Sequence, residues 1–230
     1  MPAHLVITGS NDCCPPSVIG EMMPEDTEAL GARHLRFDGP PPVEMRGDRM
    51  TYRDAVVAHL GGDSAGGHLA ALLAVTGHRA DLDGDVGLVG VSSAIQACVD
   101  WYGPAHLAGM QAQSHPLATE DHDAPDSPES RLLGAPVQTV PERAALASPV
   151  THVSAGAAPI LIMHGVEDRL VPFEQSRMLA DAFDRAGAYA RFISVDGADH
   201  VFAGVDHRPL VTTSIEFLST TLRAAVPQAR

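Results

Sequence analysis

The chain has 230 residues, of which 45% are hydrophobic, and its formal net charge at pH 7 is −14. This length and hydrophobic content fit one domain with a sizeable core. The net negative charge argues against nucleic acids and anionic membrane surfaces as partners, because both also carry negative charge. No apolar run approaches the roughly 18 residues that a membrane span needs.

The three cysteines, Cys13, Cys14 and Cys98, do not form a disulfide framework, since their number is odd and two are adjacent. The first residues lack the basic and apolar regions of a signal peptide. We therefore expect a cytoplasmic protein with reduced thiols and no metal.

Residues 1–51 predict an atypical N-terminal segment of the domain. Leu5-Val6-Ile7 indicates a short strand that ends in a turn, and prolines at 15, 16, 24 and 40–42 interrupt the rest of this segment. A shortened N-terminal half would leave one sheet edge bare, which favours pairing with a second copy of the chain.

From residue 52 onward, strand and helix patterns alternate along the chain. Strands are predicted at 55–60, 95–102, 159–163 and 189–195, and helices at 67–76, 173–186 and 212–222. Residues 105–158 predict an irregular insertion over the cleft, with one short helix at 141–146. The alternation predicts one α/β domain over residues 1–230, with a mostly parallel sheet covered by helices on both faces.

The pattern Gly62-x-Ser64-x-Gly66 indicates a nucleophile elbow, because an apolar strand precedes it and a helix-forming run follows it. Glycine is needed on both sides of the serine, since a Cβ there would clash with the neighbouring backbone. The elbow predicts that Ser64 projects its hydroxyl above the sheet. An ordinary glycine-rich loop is the alternative interpretation.

Two later strands end in the groups that activate a serine. Asp168 follows the strand at 159–163, and His200 follows the strand at 189–195. Sites in open parallel sheets assemble at this carboxyl edge. The order Ser64, Asp168, His200 is the order expected of an α/β-hydrolase triad. Asp100 also lies at a strand end and is the alternative orienting acid.

A structural role is expected for several polar residues near these three. Asp63, His68, His164 and Asp199 are each interpreted as packing or locally bonded residues.

The acidic residues Asp121, Asp123, Asp126 and Glu129 are interpreted as a solvated loop, with calcium binding as the alternative. His115 and His122 beside them lack the spacing of a zinc site.

Six segments together resemble α/β-hydrolase esterases of the hormone-sensitive-lipase and bacterial feruloyl or acetyl-xylan esterase type. They are 62–70 (GDSAGGHLA), 99–104 (VDWYGP), 126–134 (DSPESRLLG), 147–150 (ASPV), 164–172 (HGVEDRLVP) and 199–200 (DH). The resemblance extends over about three quarters of the chain. It implies an α/β-hydrolase fold and hydrolysis of carboxylic esters through an acyl-enzyme, without a metal or organic cofactor.

The resemblance also implies a role for individual residues. Ser64 would be the nucleophile, His200 the general base and acid, and Asp168 the orienting acid. The backbone amide of Ala65 would be one oxyanion donor. Trp101 and Tyr102 would pack beside the serine and line the substrate cleft.

Family members carry a His-Gly-Gly loop before the elbow, and this chain has none upstream of Ser64. Either the N-terminal part is shortened or rearranged, or Thr8-Gly9-Ser10 replaces the loop, with Gly9 as the second oxyanion donor.

The sequence supports three hypotheses for the function. The first is a serine carboxylesterase that acts on small acyl or aryl esters. The second is a peptidase similar to prolyl oligopeptidase, which shares the turn His164-Gly165-x-x-Asp168-x-x-Val171-Pro172. The third is a catalytically weak or non-catalytic relative with an incomplete oxyanion hole.

Overall fold

The computed structural model describes residues 4–6, 59–82 and 94–225. Within them, five parallel strands form one sheet in the order β1-β2-β3-β4-β5. The strands are β1 (His4–Val6), β2 (His59–Asp63), β3 (Ala97–Trp101), β4 (Ile160–Gly165) and β5 (Ala190–Val195). The helices are α1 (Ala65–Thr76), α2 (Pro128–Leu133), α3 (Pro141–Leu146), α4 (Phe173–Ala186) and α5 (Arg208–Ala225).

The sheet is parallel and has helices on both faces, which confirms the predicted class. Alternate residues of β4 point to opposite faces, as the pleat of a strand requires. Ile160 and Ile162 belong to a core cluster with residues of α1 and α4. Leu161 and Met163 belong to a second cluster, which includes Phe217 of α5. The continuous apolar run of β4 thus reflects burial on both sides.

Strand β2 extends closer to the serine than the sequence pattern predicts. It ends at Asp63, three residues beyond the predicted end at Leu60, and the first part of the predicted strand lies outside the described residues. Two glycines in this stretch weaken the strand signal. The pairing of Gly62 with Asp100 and of Asp63 with Trp101 in β3 nevertheless supplies the ladder that keeps the chain extended.

The insertion, residues 105–158, is more regular than predicted. Besides the predicted helix α3, it contains helix α2 and four 3₁₀ turns. The sequence does carry the signals of α2. The side chain of Ser127 caps the first turn by accepting a hydrogen bond from the Ser130 amide, Pro128 stands at the start, and Gly134 ends the helix with φ 71°.

The last helix, α5, begins at Arg208 rather than at the predicted residue 212. The most buried residues of this helix are Ser214 and Phe217. Leu218, which the sequence places on one side of the helix with Ile215 and Leu222, packs against the same core cluster as Phe217. In the three described ranges, no helix is both long and apolar enough to cross a membrane.

Candidate active site

Ser64 lies at the sharp turn between β2 and α1, in a backbone conformation that few L-residues adopt. Its φ is 50° and its ψ is −119°. The Ser64 amide donates to the Trp101 carbonyl (2.9 Å), which ties the turn to β3. A Cβ on Gly62 would lie 2.3 Å from the backbone carbonyl of Gly66, so the motif needs glycine there. This strained geometry is typical of a nucleophile elbow.

The structure brings the three predicted triad side chains together in one chain of hydrogen bonds. His200 Nε2 lies 3.2 Å from Ser64 Oγ, and His200 Nδ1 lies 2.8 Å from Asp168 Oδ2. Since an ionised carboxylate can only accept, the proton is on Nδ1, and Nε2 is free to accept from the serine hydroxyl. The imidazole is thereby held in the tautomer that a general base requires.

Asp168 is buried and accepts four hydrogen bonds. Oδ2 accepts from His200 Nδ1 and from His164 Nε2 at 3.2 Å. Oδ1 accepts from the amides of Leu170 (2.9 Å) and Val171 (2.8 Å). Burial by itself would raise the pKa of Asp168, but the hydrogen bonds from His164 and His200 outweigh it and hold the pKa below its usual range. The carboxylate therefore stays ionised at neutral pH.

His164, which the sequence indicated to be structural, contacts the predicted orienting acid Asp168 directly. Its Nδ1 lies 2.7 Å from Ser176 Oγ, and its Nε2 lies 3.0 Å from the Val171 carbonyl. The Val171 carbonyl and the Asp168 carboxylate can only accept, so Nε2 of His164 carries the proton. Nδ1 of His164 therefore accepts from the Ser176 hydroxyl. The i,i+4 spacing of His164 and Asp168 across a tight turn is the signal that could have suggested this contact.

Asp199, next to His200, joins the two loops that carry Asp168 and His200. Its Oδ1 accepts from the backbone amides of His200 (2.8 Å) and Arg169 (2.9 Å). Its Oδ2 accepts from Arg169 Nε at 2.6 Å. Because Asp199 accepts a backbone hydrogen bond from each loop, the two loops are held together. His200 and Asp168 therefore stay within hydrogen-bond distance of each other.

The two aromatic residues predicted to line the cleft, Trp101 and Tyr102, contact different neighbours. Tyr102 is buried, has φ 46°, and places its ring centroid 4.9 Å from that of His200 in an edge-to-face arrangement. The Trp101 indole N–H donates to Ser214 Oγ in α5 (3.1 Å), and its ring packs edge-on against Phe202. Of the pair, Tyr102 is the residue whose ring lies against the imidazole.

Asp100, the alternative orienting acid, is fully buried in β3. Its Oδ1 accepts from the Gly103 amide at 2.9 Å, and its Oδ2 has no hydrogen-bond partner among the described residues. Burial raises the pKa of this carboxyl to about 6, against the opposing effects of the Gly103 hydrogen bond and of His164. The structure thus places Asp168, at 2.8 Å, as the carboxylate on His200.

The Asp100 carboxyl predicts a pH-dependent stability that Asp100→Asn removes. Its pKa is higher in the folded chain (about 6) than the usual 3.8, so the folded state binds the proton more tightly and loses stability as pH rises between those values. We expect the free energy of unfolding of Asp100→Asn, relative to wild type, to rise by about 2 kcal/mol between pH 4 and pH 7. Urea unfolding across this range measures the difference.

The same substitution at the exposed residue Asp126 is the control for removing a charge from the surface. A free-energy difference between Asp100→Asn and wild type that stays constant with pH would contradict the prediction.

Of the two predicted oxyanion donors, Ala65 lies within the described residues and Gly9 does not. Ala65 is the first residue of α1, directly after Ser64, where backbone amides of a helix have no partner within the helix. That position favours developing negative charge. Gly9 lies outside the described residues.

One of the four acidic residues in the predicted solvated loop is buried. Glu129 is buried, and its Oε1 lies 3.0 Å from Nδ1 of His122, which is also buried. The interpretation of this segment as a solvated loop is therefore wrong at Glu129, because the chain folds back and covers the carboxylate with an imidazole.

Structural comparison places the fold among known hydrolases. A truncated form of a carbohydrate esterase from gut microbiota is 31% identical, with a TM-score of 0.58, over 72% of this chain and 60% of that one. A thermophilic esterase from Thermogutta terrifontis, bound to propionate, matches all of this chain and 85% of its own, with a TM-score of 0.63 and 20% identity. The sheet, its helices and these neighbours define an α/β-hydrolase fold.

The family is established by a match over more than half of the chain. Residues 51–183 match the BD-FAE family, and the chain belongs to it. A probable carboxylic ester hydrolase of Mycobacterium tuberculosis, LipM, is 35% identical over 125 residues, which cover 52% of this chain and 26% of LipM. The matched segment thus spans about a quarter of that relative. The predicted resemblance to α/β-hydrolase esterases is confirmed.

Proposed function

We propose that the protein is a serine carboxylesterase that hydrolyses small acyl or aryl esters through an acyl-enzyme on Ser64. The observation that carries this proposal is the hydrogen-bonded chain from Ser64 Oγ through His200 to Asp168. The names of the relatives, which include a carboxylic ester hydrolase and a carbohydrate esterase, support the same class of reaction.

In the acylation step, Ser64 Oγ attacks the ester carbonyl while His200 Nε2 takes the hydroxyl proton. The carbonyl π electrons move onto its oxygen and form a tetrahedral oxyanion. As the oxyanion collapses, the bond to the alcohol oxygen breaks, and His200 returns the proton to the departing alkoxide. Asp168 keeps its negative charge and stabilises the imidazolium that forms between these two transfers.

In the deacylation step, a water molecule replaces the alcohol. His200 Nε2 takes a proton from water, the hydroxide oxygen bonds to the acyl carbon, and the carboxylic acid leaves as Ser64 recovers its proton. The Ala65 amide is the donor that we assign to the oxyanion in both steps. We assign the second donor to the segment around Gly9, as the sequence pattern suggests, and one such donor contributes about 10²–10³ in rate.

For the substrate, we infer a small ester. Tyr102 is buried with its ring against the imidazole, and Trp101 contacts α5 and Phe202, so we assign both aromatic residues to packing that supports the site. The net charge of −14 supports neutral esters over polyanionic substrates.

The test is covalent labelling of Ser64 together with ester turnover. We expect wild-type protein to release p-nitrophenol from short-chain p-nitrophenyl esters, and a fluorophosphonate probe to add to Ser64 in peptide mass spectrometry. Ser64→Ala is expected to lose both signals. Ser154→Ala, a serine in the loop before β4, is the matched control and should keep both.

Two outcomes would overturn the proposal. Absence of labelling, with hydrolysis no faster than in Ser64→Ala, would indicate a non-catalytic relative. Cleavage of aminoacyl-naphthylamides in preference to esters would indicate a peptidase instead.

A further inference from the structure

A second buried histidine–carboxylate pair lies beside the loop that carries Asp168. We name residues 166–172 the acid loop. His122, in the insertion, and Glu129, in α2, have side chains that are 3% and 6% exposed. His122 Nδ1 lies 3.0 Å from Glu129 Oε1, and its Nε2 lies 3.0 Å from the carbonyl oxygen of Leu170 in the acid loop. The imidazole therefore joins the insertion to the acid loop.

The partners of His122 define its charge. A carboxylate and a backbone carbonyl are both acceptors, so both ring nitrogens must donate, and the ring that satisfies both bonds is an imidazolium. Burial alone would lower the pKa of His122, but the hydrogen bond and charge of Glu129, the Leu170 carbonyl and the charge of Glu120 raise it above the usual value. The chemistry of the contacts and the direction of the pKa agree.

The bond reaches Asp168 through a single peptide unit. The Leu170 carbonyl accepts from His122, and the Val171 amide, in the same peptide unit, donates to Asp168 Oδ1 at 2.8 Å. The insertion holds the loop at a neighbouring point as well, since the Thr119 amide donates to the Arg169 carbonyl (3.4 Å). The backbone of His122 is itself anchored by Gln111 Oε1, which accepts from its amide at 2.7 Å.

We propose that His122, as an imidazolium paired with Glu129, is a positioning residue that holds the acid loop so that Asp168 faces His200. This inference deepens the proposed esterase function and rests on it. The ring nitrogens of His122 bond to Glu129 and Leu170 and not to a triad side chain, so the effect passes through the peptide between Leu170 and Val171. A displacement of about 1 Å in such an orienting group can cost about 10²-fold in rate.

The proposal includes a pH dependence with a defined sign. The groups that face His122 are Glu129 from α2, Glu120 on its own segment, and the Leu170 carbonyl from the acid loop. When the imidazolium loses a proton, the remaining N–H stays with the carboxylate of Glu129, because a charge-assisted bond is the stronger one. A lone pair on Nε2 then faces the Leu170 carbonyl and repels it. The contribution is complete at pH values below the usual histidine pKa and is lost as pH rises through the raised one.

Two variants separate the bond from the charge. His122→Gln offers two N–H donors, one for Leu170 and one for Glu129, and cannot titrate in this range. The double variant His122→Phe/Glu129→Leu removes the bond without leaving a buried unpaired carboxylate, which would itself impair folding. His152→Gln, a substitution at a histidine whose Nε2 lies 2.7 Å from the exposed Leu146 carbonyl, is the matched control. Thermal unfolding confirms that each variant is folded.

For p-nitrophenyl ester hydrolysis, we expect the double variant to lose about 10–100-fold in kcat with KM little changed, as for the loss of a charge-assisted hydrogen bond. His122→Gln should keep kcat at pH 7 and lose the fall in kcat that the wild type shows at alkaline pH. His152→Gln should match the wild type at every pH. A folded double variant with the kcat and pH profile of the wild type would overturn the inference.

Nuclear magnetic resonance tests the same inference without turnover. At pH 6.5, where an ordinary histidine is about half protonated, we expect both ring nitrogens of His122 to be protonated in most molecules. In Ser64→Ala protein, the downfield proton of His200 Nδ1 should persist with His122→Gln and be lost with the double variant. A neutral His122 ring, or an unchanged His200 signal, would overturn the inference. Inactive wild-type protein with both expected spectra would instead refute the proposed function.

Discussion

Replacing His200 by alanine is expected to lower kcat for ester hydrolysis by about 10⁶-fold, because Ser64 then has no base. The loss corresponds to about 8 kcal/mol of transition-state stabilisation. His200 Nε2 lies 3.2 Å from Ser64 Oγ, and in the proposed mechanism the imidazole takes the serine proton and returns it to the alcohol. Initial rates with a p-nitrophenyl ester measure the effect, and KM should change far less than kcat.

Two comparisons make this result specific. His78→Ala, a substitution of an exposed histidine that contacts Ser154, should keep wild-type activity. Combining His200→Ala with Ser64→Ala should cost little more than either change alone, since the residues of a triad act as a unit. A His200→Ala variant that loses less than about tenfold would show that another group activates Ser64.

The second large effect is expected from Asp168→Asn, which should lower kcat by about 10⁴-fold while the fold is kept. Asparagine is nearly the same size as aspartate, but its amide nitrogen donates. Placed at Oδ2, the amide would donate to His200 Nδ1 and force the ring proton onto Nε2, which then cannot accept from Ser64. The pH profile of kcat for the variant and the wild type measures the change.

Asp100→Asn is the comparison that decides between the two candidate acids. Asp168 Oδ2 lies 2.8 Å from His200 Nδ1, whereas Asp100 accepts from the Gly103 amide. We therefore expect Asp100→Asn to keep kcat while it alters the pH dependence of stability. A larger loss of kcat in Asp100→Asn than in Asp168→Asn would assign the orienting role to Asp100.

Local signals predicted the elements whose ends are marked in the sequence. Helix α4 spans Phe173–Ala186, as predicted, because an apolar face repeats at helical spacing and Gly187 ends it with φ 69°. Strand β4 was predicted from its apolar run. The end of β2 and the start of α5 were not predicted, because pairing with β3 and packing against the sheet override weak local preferences.

Local patterns in the sequence were enough to predict the class of fold and three candidate site residues. A glycine-flanked serine after an apolar strand, with an acid and a histidine after later strands, reflects constraints that act over a few neighbouring residues. The contacts around those residues became visible only in the folded chain: His164 on Asp168, Asp199 between the two loops, and His122 with Glu129 on the acid loop. Such contacts join segments that are 30 or more residues apart, or join buried charges whose pairing depends on how the chain folds back. Apart from the i,i+4 spacing of His164 and Asp168, no local pattern encodes them, because their energy comes from burial and hydrogen bonds that exist only once the chain is packed.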